Sequence, residues 1–381
     1  MKTIVSLVRC GTYESSEVDK AVRRAVGYLG GITSFVKPGM RILLKPNLLS
    51  ARTPDRHVTT HPEVVRALIR LVKEAGGIPL LGDSPGGAVK GVERVWVETG
   101  MKKLAQEENI ELVNFETAGS VEKPIAHPLI KTVRISRVPL EADGVINIPK
   151  LKTHGLLIFT AGVKNIFGCV PGLRKGEYHK LAPYPDDFAR LLSEIYLLVE
   201  DKILFSLVDG ITGMEGNGPS SGELRQMNLL AASADTVALD SCLISLLGFK
   251  PGKIGTIKHL ARGDAGPDGL ANTEIAGDSP EVFDLAKFKF PSNWHINLVP
   301  KFLIRLLGKL IWMKPEINPA VCVNCLLCVN SCPVNTIKSA PGKKPFVEKS
   351  GCISCLCCHE LCPYKAIDLK GSFLAKRMFR L

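Results

Sequence analysis

The sequence predicts an α/β protein, a mostly parallel layered sheet with helices on both faces, followed by a small α+β domain rich in cysteine. Three observations carry this. Apolar runs of strand length alternate with amphipathic helical stretches through the first 290 residues, which argues for a parallel or mixed sheet covered on both sides. Polar residues gather where those runs end, and open α/β sheets bind ligands beyond the carboxyl ends of their strands. From residue 322 a cysteine pattern appears that recurs at an offset of thirty residues, the mark of a structural unit used twice.

The elements follow in order. "MKTIVSLVRCG" has an apolar run broken by Arg9 and reads as a first strand rather than a signal peptide. A helical stretch covers Val18 to Leu29, and "RILLKPN" is a strand that Pro46 ends. "TTHPEVVRALIRLVKEAGG" is a well-marked helix: Thr60 and Glu63 form a capping box, Pro62 sits in the first turn, and Gly76–Gly77 stops it. Val64, Val65, Leu68, Ile69 and Val72 make its buried stripe. Strand "IPLLGD", a helix from Gly91 to Asn109 and strand "ELVNF" come next. "DGVINIPKLKTH" is a strand running into a loop, followed by helices near Phe159 to Phe167 and Asp186 to Val199. Strands "ILFSLVDG" and "NLLAAS" and the helix "DTVALDSCLISLLG" complete the pattern. The 381 residues suit two or three domains. They divide as an α/β domain over 1–290, a basic amphipathic linker over 291–318, a cysteine domain over 319–370 and a basic tail over 371–381.

The cysteine stretch "CVNCLLCVNSCP" has the spacing C-x2-C-x2-C-x3-C-P on Cys322, Cys325, Cys328 and Cys332. "CISCLCCHELCP" repeats it on Cys352, Cys355, Cys358 and Cys362. This is the bacterial ferredoxin run. Three closely spaced thiolates grip three corners of an iron–sulfur cube, and the fourth cysteine crosses to the other cube. By that rule Cys322, Cys325, Cys328 and Cys362 hold one [4Fe-4S] cluster, and Cys352, Cys355, Cys358 and Cys332 hold a second. Structural zinc prefers paired C-x-x-C or cysteines with histidines, and a disulfide framework needs an oxidising compartment. Cys357, at the place of Leu327 in the first run, reads as packing beside a cluster. Cys10 and Cys242 have no assigned role, and Cys169 in "FGCVPG" reads as structural.

Net charge is +12, with 45% apolar and 23% charged residues, as in a soluble globular protein. The charge is uneven: residues 301–381 hold 13 Lys and Arg against 4 Asp and Glu. Such a tail suits an acidic redox partner protein or an anionic membrane surface. Nucleic acid is not expected, since the chain has no recognition-helix or RNA-binding signature. "LVPKFLIRLLGKLIWMKP", Leu298 to Pro315, sets Lys301, Arg305 and Lys309 four apart on one helical face. It is too charged and too short for a span and reads as a linker helix with peripheral contact to a membrane as its alternative. The expected place is the cytoplasm, including its membrane surface.

The strand ends gather candidate binding residues. They are Lys45 and Asn47; Asp83 with the loop "GDSPGG"; Lys150, Lys152 and His154; Asp209; and Glu215 in "ITGMEGNGP". "AGVKNIFG" adds Lys164 and Asn165. "GDSPGG" lacks the Lys-Ser/Thr of a nucleotide-binding loop and the spacing of a dinucleotide fingerprint. The concentration of lysines in "PKLKTHGLLIFTAGVKN" is the stronger signal, since lysines in an apolar segment need a partner or an anionic ligand. "GNGPSSGE" is a glycine-rich loop of the kind that serves as a lid.

Two resemblances follow. Pro319 to Leu369 is similar to a bacterial-type two-cluster ferredoxin module, so the second domain is expected to be ferredoxin-like. "KPNLL", "THPEVVRALIRLVKEAGG", "GDSP", "NIPKLKTH", "VKNIFGCVPG", "DGITGMEGNGPSSGE" and "ADTVALDSCLISLLG" resemble the family catalogued as domain of unknown function 362, over roughly Arg41 to Phe249. The resemblance implies a redox-linked α/β domain and leaves its substrate unspecified.

The leading expectation is an iron–sulfur oxidoreductase acting on an anionic small molecule. Lys150, Lys152 and Lys164 orient the anion, His154 donates a proton, and Asp83 and Asp209 orient the lysines or bind a metal. Lys45, Asn47, Asn165 and Glu215 line the substrate site. The chain shows no flavin or nicotinamide fingerprint. The rival readings are a non-enzymatic electron relay within a larger complex and a redox-sensing, partner-binding subunit.

Overall fold

Ten strands of the N-terminal region join in one sheet, in the computed structural model, which describes residues 2–86, 91–172, 174–182, 184–261, 273–291 and 313–372. The strands are β1 (Thr3–Arg9), β2 (Arg41–Pro46), β3 (Ile78–Asp83), β4 (Glu111–Asn114), β5 (Ser120–Pro124), β6 (Thr132–Ser136), β7 (Gly144–Ile148), β8 (Lys150–His154), β9 (Ile158–Thr160), β10 (Ile203–Glu215), β11 (Glu223–Ser233) and β12 (Thr273–Gly277). The sheet order is β12-β1-β11-β10-β7-β2-β3-β4, with β8 on β10 and β9 on β8, while β5 and β6 form a separate hairpin. β10, β7, β2, β3 and β4 run parallel; β11 is antiparallel to both neighbours. The sheet is therefore mixed and mostly parallel, as expected.

Side-chain alternation along the strands builds the two layers. Ile42, Leu44, Ile146 and Phe205 face one side, against Val18, Val22, Leu68 and Val72 of the helices Ser15–Gly27 and Pro62–Glu74. Leu43 and Val145 face the other, against Phe188, Leu192 and Ile195 of the helix Pro185–Leu197. Farther along that face Leu7, Val208 and Leu229 meet Leu239 and Leu243 of the helix Thr236–Leu246.

Several local expectations change. The cap of Pro62–Glu74 is His61, whose side chain accepts from the Glu63 amide. Thr60 is diverted: its hydroxyl donates to the Ile148 carbonyl at 2.6 Å and accepts the Asn47 amide at 2.8 Å, tying β2 to β7. The Gly91-to-Asn109 helix is two helices, Val92–Glu98 and Met101–Glu107, divided at Gly100, whose φ of +77° a helix cannot hold. "INIPKLKTH" is two strands, β7 and β8, rather than a strand and a loop. β10 does not end at Asp209; its pairing with β11 slips between Gly210 and Thr212 and continues to Glu215, as a bulge permits. The glycine-rich turn after it is bound down rather than built as a free lid. The Gly218 amide donates to Thr153 Oγ1 at 3.1 Å and the Gly155 amide to the Gly218 carbonyl at 3.2 Å.

The cysteine domain begins with β13 (Met313–Ile317), which pairs with β16 (Ile367–Gly371), so its sheet includes residues that the sequence reading gave to the linker. β14 (Ile337–Lys338) pairs with β15 (Phe346–Val347). Each repeat's opening strand thus pairs with the other repeat's closing strand. The backbone keeps the thirty-residue period: Asn324, Leu326 and Asn335 have positive φ, and so do Ser354, Leu356 and Lys365. Residues 292–312 of the amphipathic linker expected over 291–318, and 373–381 of the basic tail expected over 371–381, lie outside the described residues.

Candidate functional site

A cleft of about 110 Å³ opens where the carboxyl ends of β2, β3 and β8 meet the cysteine domain. Asn47, Asp83, His154, Lys164 and Asn165 line it, joined by Ser84, Lys175 and His179. Its far wall is Ser331, Cys357 and Leu361. The anticipated gathering at the strand ends therefore exists, but it is smaller than expected and shared between domains.

The lysines divide by role. Lys45, Lys150 and Lys152 are among the largest fully buried side chains. Lys45 lies 2.8 Å from Asp83, whose other oxygen accepts the Leu48 amide at 3.0 Å. Gly168 closes over this pair; a Cβ there would overlap Asp83 Oδ1 and stand 2.5 Å from Lys45 Nζ. Lys152 donates to Asn47 Oδ1 at 2.7 Å and the Val58 carbonyl at 2.6 Å. From it a directed chain runs inward. Asn47 donates to Asn165 (3.1 Å), Asn165 to Asn147 (2.8 Å), and Asn147 to the Ser206 hydroxyl (2.9 Å). An ammonium only donates, so it fixes the orientation of each amide after it. Asn147 and Ser206 were not anticipated; their signal is a lone polar residue inside an apolar strand.

Lys150 and Asp209 form a second network that is absent from the cleft lining. Their charged groups meet at 2.8 Å, both fully buried. Tyr13 joins them, accepting from Lys150 at 2.7 Å and donating to Asp209 at 2.8 Å. The Tyr13 ring stacks on His61 at 3.9 Å, and the His61 amide donates to Asp209 at 3.0 Å. Burial opposes the Asp209 charge, but Lys150 overrides it and holds the carboxyl below its usual range. Burial pushes His61 down to about 4. Both aspartates thus pair with buried lysines. Among the described residues no group of three or more His, Cys, Asp or Glu side chains closes on a single metal ion. Glu215 also lies elsewhere, bonded to Arg225 at 3.0 Å and to the Lys289 amide at 3.0 Å.

Within the cleft, His154 Nδ1 accepts the amides of Leu156 (3.1 Å) and Leu157 (3.2 Å). The neutral ring therefore carries its proton on Nε2. Lys175, missed because "LRKGE" reads as a solvated turn, donates to the Ser84 carbonyl and hydroxyl at 2.8 Å and to the Val170 carbonyl at 2.5 Å. Burial lowers its pKa to about 8. Burial pushes Cys169, Cys10 and Cys242 each up to about 12, which makes them inert thiols.

In the cysteine domain, one cavity is bounded by Cys322, Cys325, Cys328 and Cys362 together with Ile317, Ala366 and Ile367. The fourth cysteine of the second repeat thus faces the first three of the first. Burial pushes Cys328 up to about 11, with Cys325, Cys362 and Cys322 adding repulsion. Burial also raises Cys352, to which Cys355 and Cys332 contribute. The amides of Asn324, Thr336 and Ala366 donate to the sulfurs of Cys322, Cys332 and Cys362 at 3.3–3.4 Å. Crowded, buried thiols that already accept N–H donors fit a cationic iron cluster, which holds them as thiolates. Spreading four thiolates over four corners also explains why they do not converge on one ion. All twelve cysteines are unbridged.

The domains are locked at several points. Arg52, 8% exposed, donates to the carbonyls of Pro363 (2.9 Å) and Cys362 (3.0 Å). Leu356 packs over Gly155 and Pro333 against Gly176, where an added Cβ would stand 3.2 and 3.3 Å from them.

Fold and site define an iron–sulfur electron-transfer protein with an α/β domain. The chain belongs to the family described as domain of unknown function (DUF362), whose profile matches residues 42–245. A 4Fe-4S dicluster domain matches residues 314–363. A thylakoid-associated protein of Synechocystis sp. is 41% identical over 260 residues, covering 68% of this chain and 78% of that protein. Among solved structures, the lactate racemase apoprotein of Thermoanaerobacterium thermosaccharolyticum superposes with a TM-score of 0.38 at 12% identity, over 62% of this chain and 55% of that one. Among the described residues no helix is long and apolar enough to cross a membrane.

Proposed function

We propose that this protein is an oxidoreductase in which two [4Fe-4S] clusters deliver electrons to a small anionic substrate in the interdomain cleft. The observation that supports this is the cleft's far wall: Ser331 and Cys357 are the sequence neighbours of Cys332 and Cys358, two of the four cysteines assigned to one cluster. The clusters supply single electrons when bound. Lys164 holds the anion, Lys175 adds its charge from the cleft wall while its N–H groups stay on Ser84 and Val170, and Asn47 donates at the anion's edge. His154 donates the Nε2 proton as charge arrives, and the two amides on Nδ1 keep the ring in place. A cleft of about 110 Å³ favours a compact acid of a few heavy atoms. The roles given to Lys150, Lys152 and Asp209 move to structure, since their groups are consumed in buried networks.

The test is anaerobic. Reduced protein is mixed with a panel of small anions while cluster absorbance is followed. Rapid reoxidation by one compound, lost in Lys164→Ala with iron content unchanged, supports the reading. Silence across the panel together with fast reoxidation by an acidic redox protein would favour the relay instead. Val321 and Val323, both strongly exposed beside Cys322, suit such a partner. The proposed setting is cytoplasmic, with peripheral attachment to an anionic membrane surface. The relative's thylakoid association and the basic amphipathic sequence Leu298 to Pro315 support that setting.

A further inference from the structure

A second cavity, of about 190 Å³, lies against the other cysteine set, where the segment after β2 and Gly91, Arg94 and Val95 face Cys325, Leu327 and Tyr364. Its polar lining includes Ser50, Arg52, Arg94 and Tyr364, and no acidic residue is among the described residues that line it. Ser50 is 4% exposed, and its hydroxyl has no hydrogen-bond partner among the described residues. Buried hydroxyls are normally satisfied. Arg52 gives two N–H groups to the carbonyls of Pro363 and Cys362 and keeps others, since a guanidinium carries five. Two guanidinium groups and an unsatisfied hydroxyl around a void are the donors an oxyanion requires.

We propose that this cavity binds a small oxyanion of the phosphate or carboxylate class between Ser50, Arg52 and Arg94, and that occupancy lowers the reduction potential of the adjacent cluster. A negative charge beside Cys325 makes it harder to add an electron to the cluster that this cysteine serves. It also offsets the Arg52 charge, which otherwise favours the reduced state. The cluster on Cys352, Cys355, Cys358 and Cys332 lies beyond this lining and shifts less. The binding half stands by itself; the redox half rests on the proposed assignment of Cys322, Cys325, Cys328 and Cys362.

The experiment uses the full holoprotein, with inorganic phosphate and acetate as probes. Calorimetry measures binding, and potentiometry followed by electron paramagnetic resonance measures each cluster's midpoint with and without the anion. Arg94→Ala and Ser50→Ala are the variants, since Arg52 also ties the domains. The expected result is binding by the unaltered protein, weakened tenfold or more in both variants at unchanged iron content. One cluster's midpoint falls on adding the anion, and the fall is lost in the variants. Failure of both probes to bind, or equal binding by all three proteins, overturns the site. Binding without a midpoint change overturns the redox half. Iron and sulfide analysis reports separately on the clusters, so a protein that binds phosphate but holds no iron overturns the cluster assignment and leaves the anion site standing.

Discussion

Lys150 and Asp209 meet 2.8 Å apart with neither side chain exposed, β8 supplying the cation and the middle of β10 the anion. A buried pair of this kind costs desolvation on both sides, so removing one partner strands the other. Asp209→Asn or Lys150→Met is expected to cost about 3 to 5 kcal/mol in denaturant unfolding, and the double replacement Lys150→Met with Asp209→Leu to recover most of it. Equal loss in single and double variants would show that the pair is not the unit.

Gly168 has no room for a side chain. In Gly168→Ala the new methyl would collide with Asp83 and Lys45, one a carboxylate and the other its ammonium partner. The loss is expected to be on the order of 3 kcal/mol, with cleft function falling alongside. Unfolding curves at the unaltered midpoint check it; a neutral variant would mean that the Ala161–Cys169 segment shifts freely.

The cysteine crossover has a sharp signature. Cys362→Ser should lose the cluster of Cys322, Cys325 and Cys328, and Cys332→Ser the cluster of Cys352, Cys355 and Cys358. Each variant is expected to retain about half the iron of the parent. Resonance spectra should show a different survivor in each. If the same cluster survives in both, the fourth ligands do not cross.

Anion binding in the cleft should fall as pH rises through about 8, the depressed value that burial gives Lys175. Below that value the ammonium is charged and attracts the anion; above it the amine is neutral. Between pH 7 and 9 the affinity for whichever anion reoxidises the clusters should drop by about tenfold, the size of one nearby charge. In Lys175→Met the profile should be flat and low across this window. A parent profile that is flat over the same range would remove Lys175 from the site.

Much of this architecture could be read in the chain. Val64, Leu68 and Val72 show their helix by spacing, and β2, β3 and β10 show themselves as apolar runs between turns. The 4Fe-4S dicluster domain at 314–363 shows itself as a cysteine repeat with a constant offset. Asn47, Asp83 and His154 reach the cleft because strand ends collect in one place, and Lys164 and Asn165 of "AGVKNIFG" join them from the short helix Gly162–Asn165. Lys175 and Arg52 were missed because "LRKGE" and "SARTPDRH" have the composition of solvated loops; what buries them is contributed by Ser84 and by Cys362 and Pro363, far away in sequence. Thr60 was read as a helix cap because its spacing to Glu63 fits one, but the carbonyl of Ile148 competes successfully for its hydroxyl.

The sequence by itself determined the alternation of elements and the cysteine chemistry, because both depend on spacings of a few residues that the local backbone converts directly into geometry. Only the tertiary structure decided which lysines are consumed in buried networks and which face the cleft, and that the cysteine domain forms the cleft's far wall. Those outcomes depend on partners a hundred residues or more apart, such as Lys152 with Asn47 and Arg52 with Cys362. A charged side chain is buried or exposed according to what the fold brings opposite it, and no local pattern encodes that.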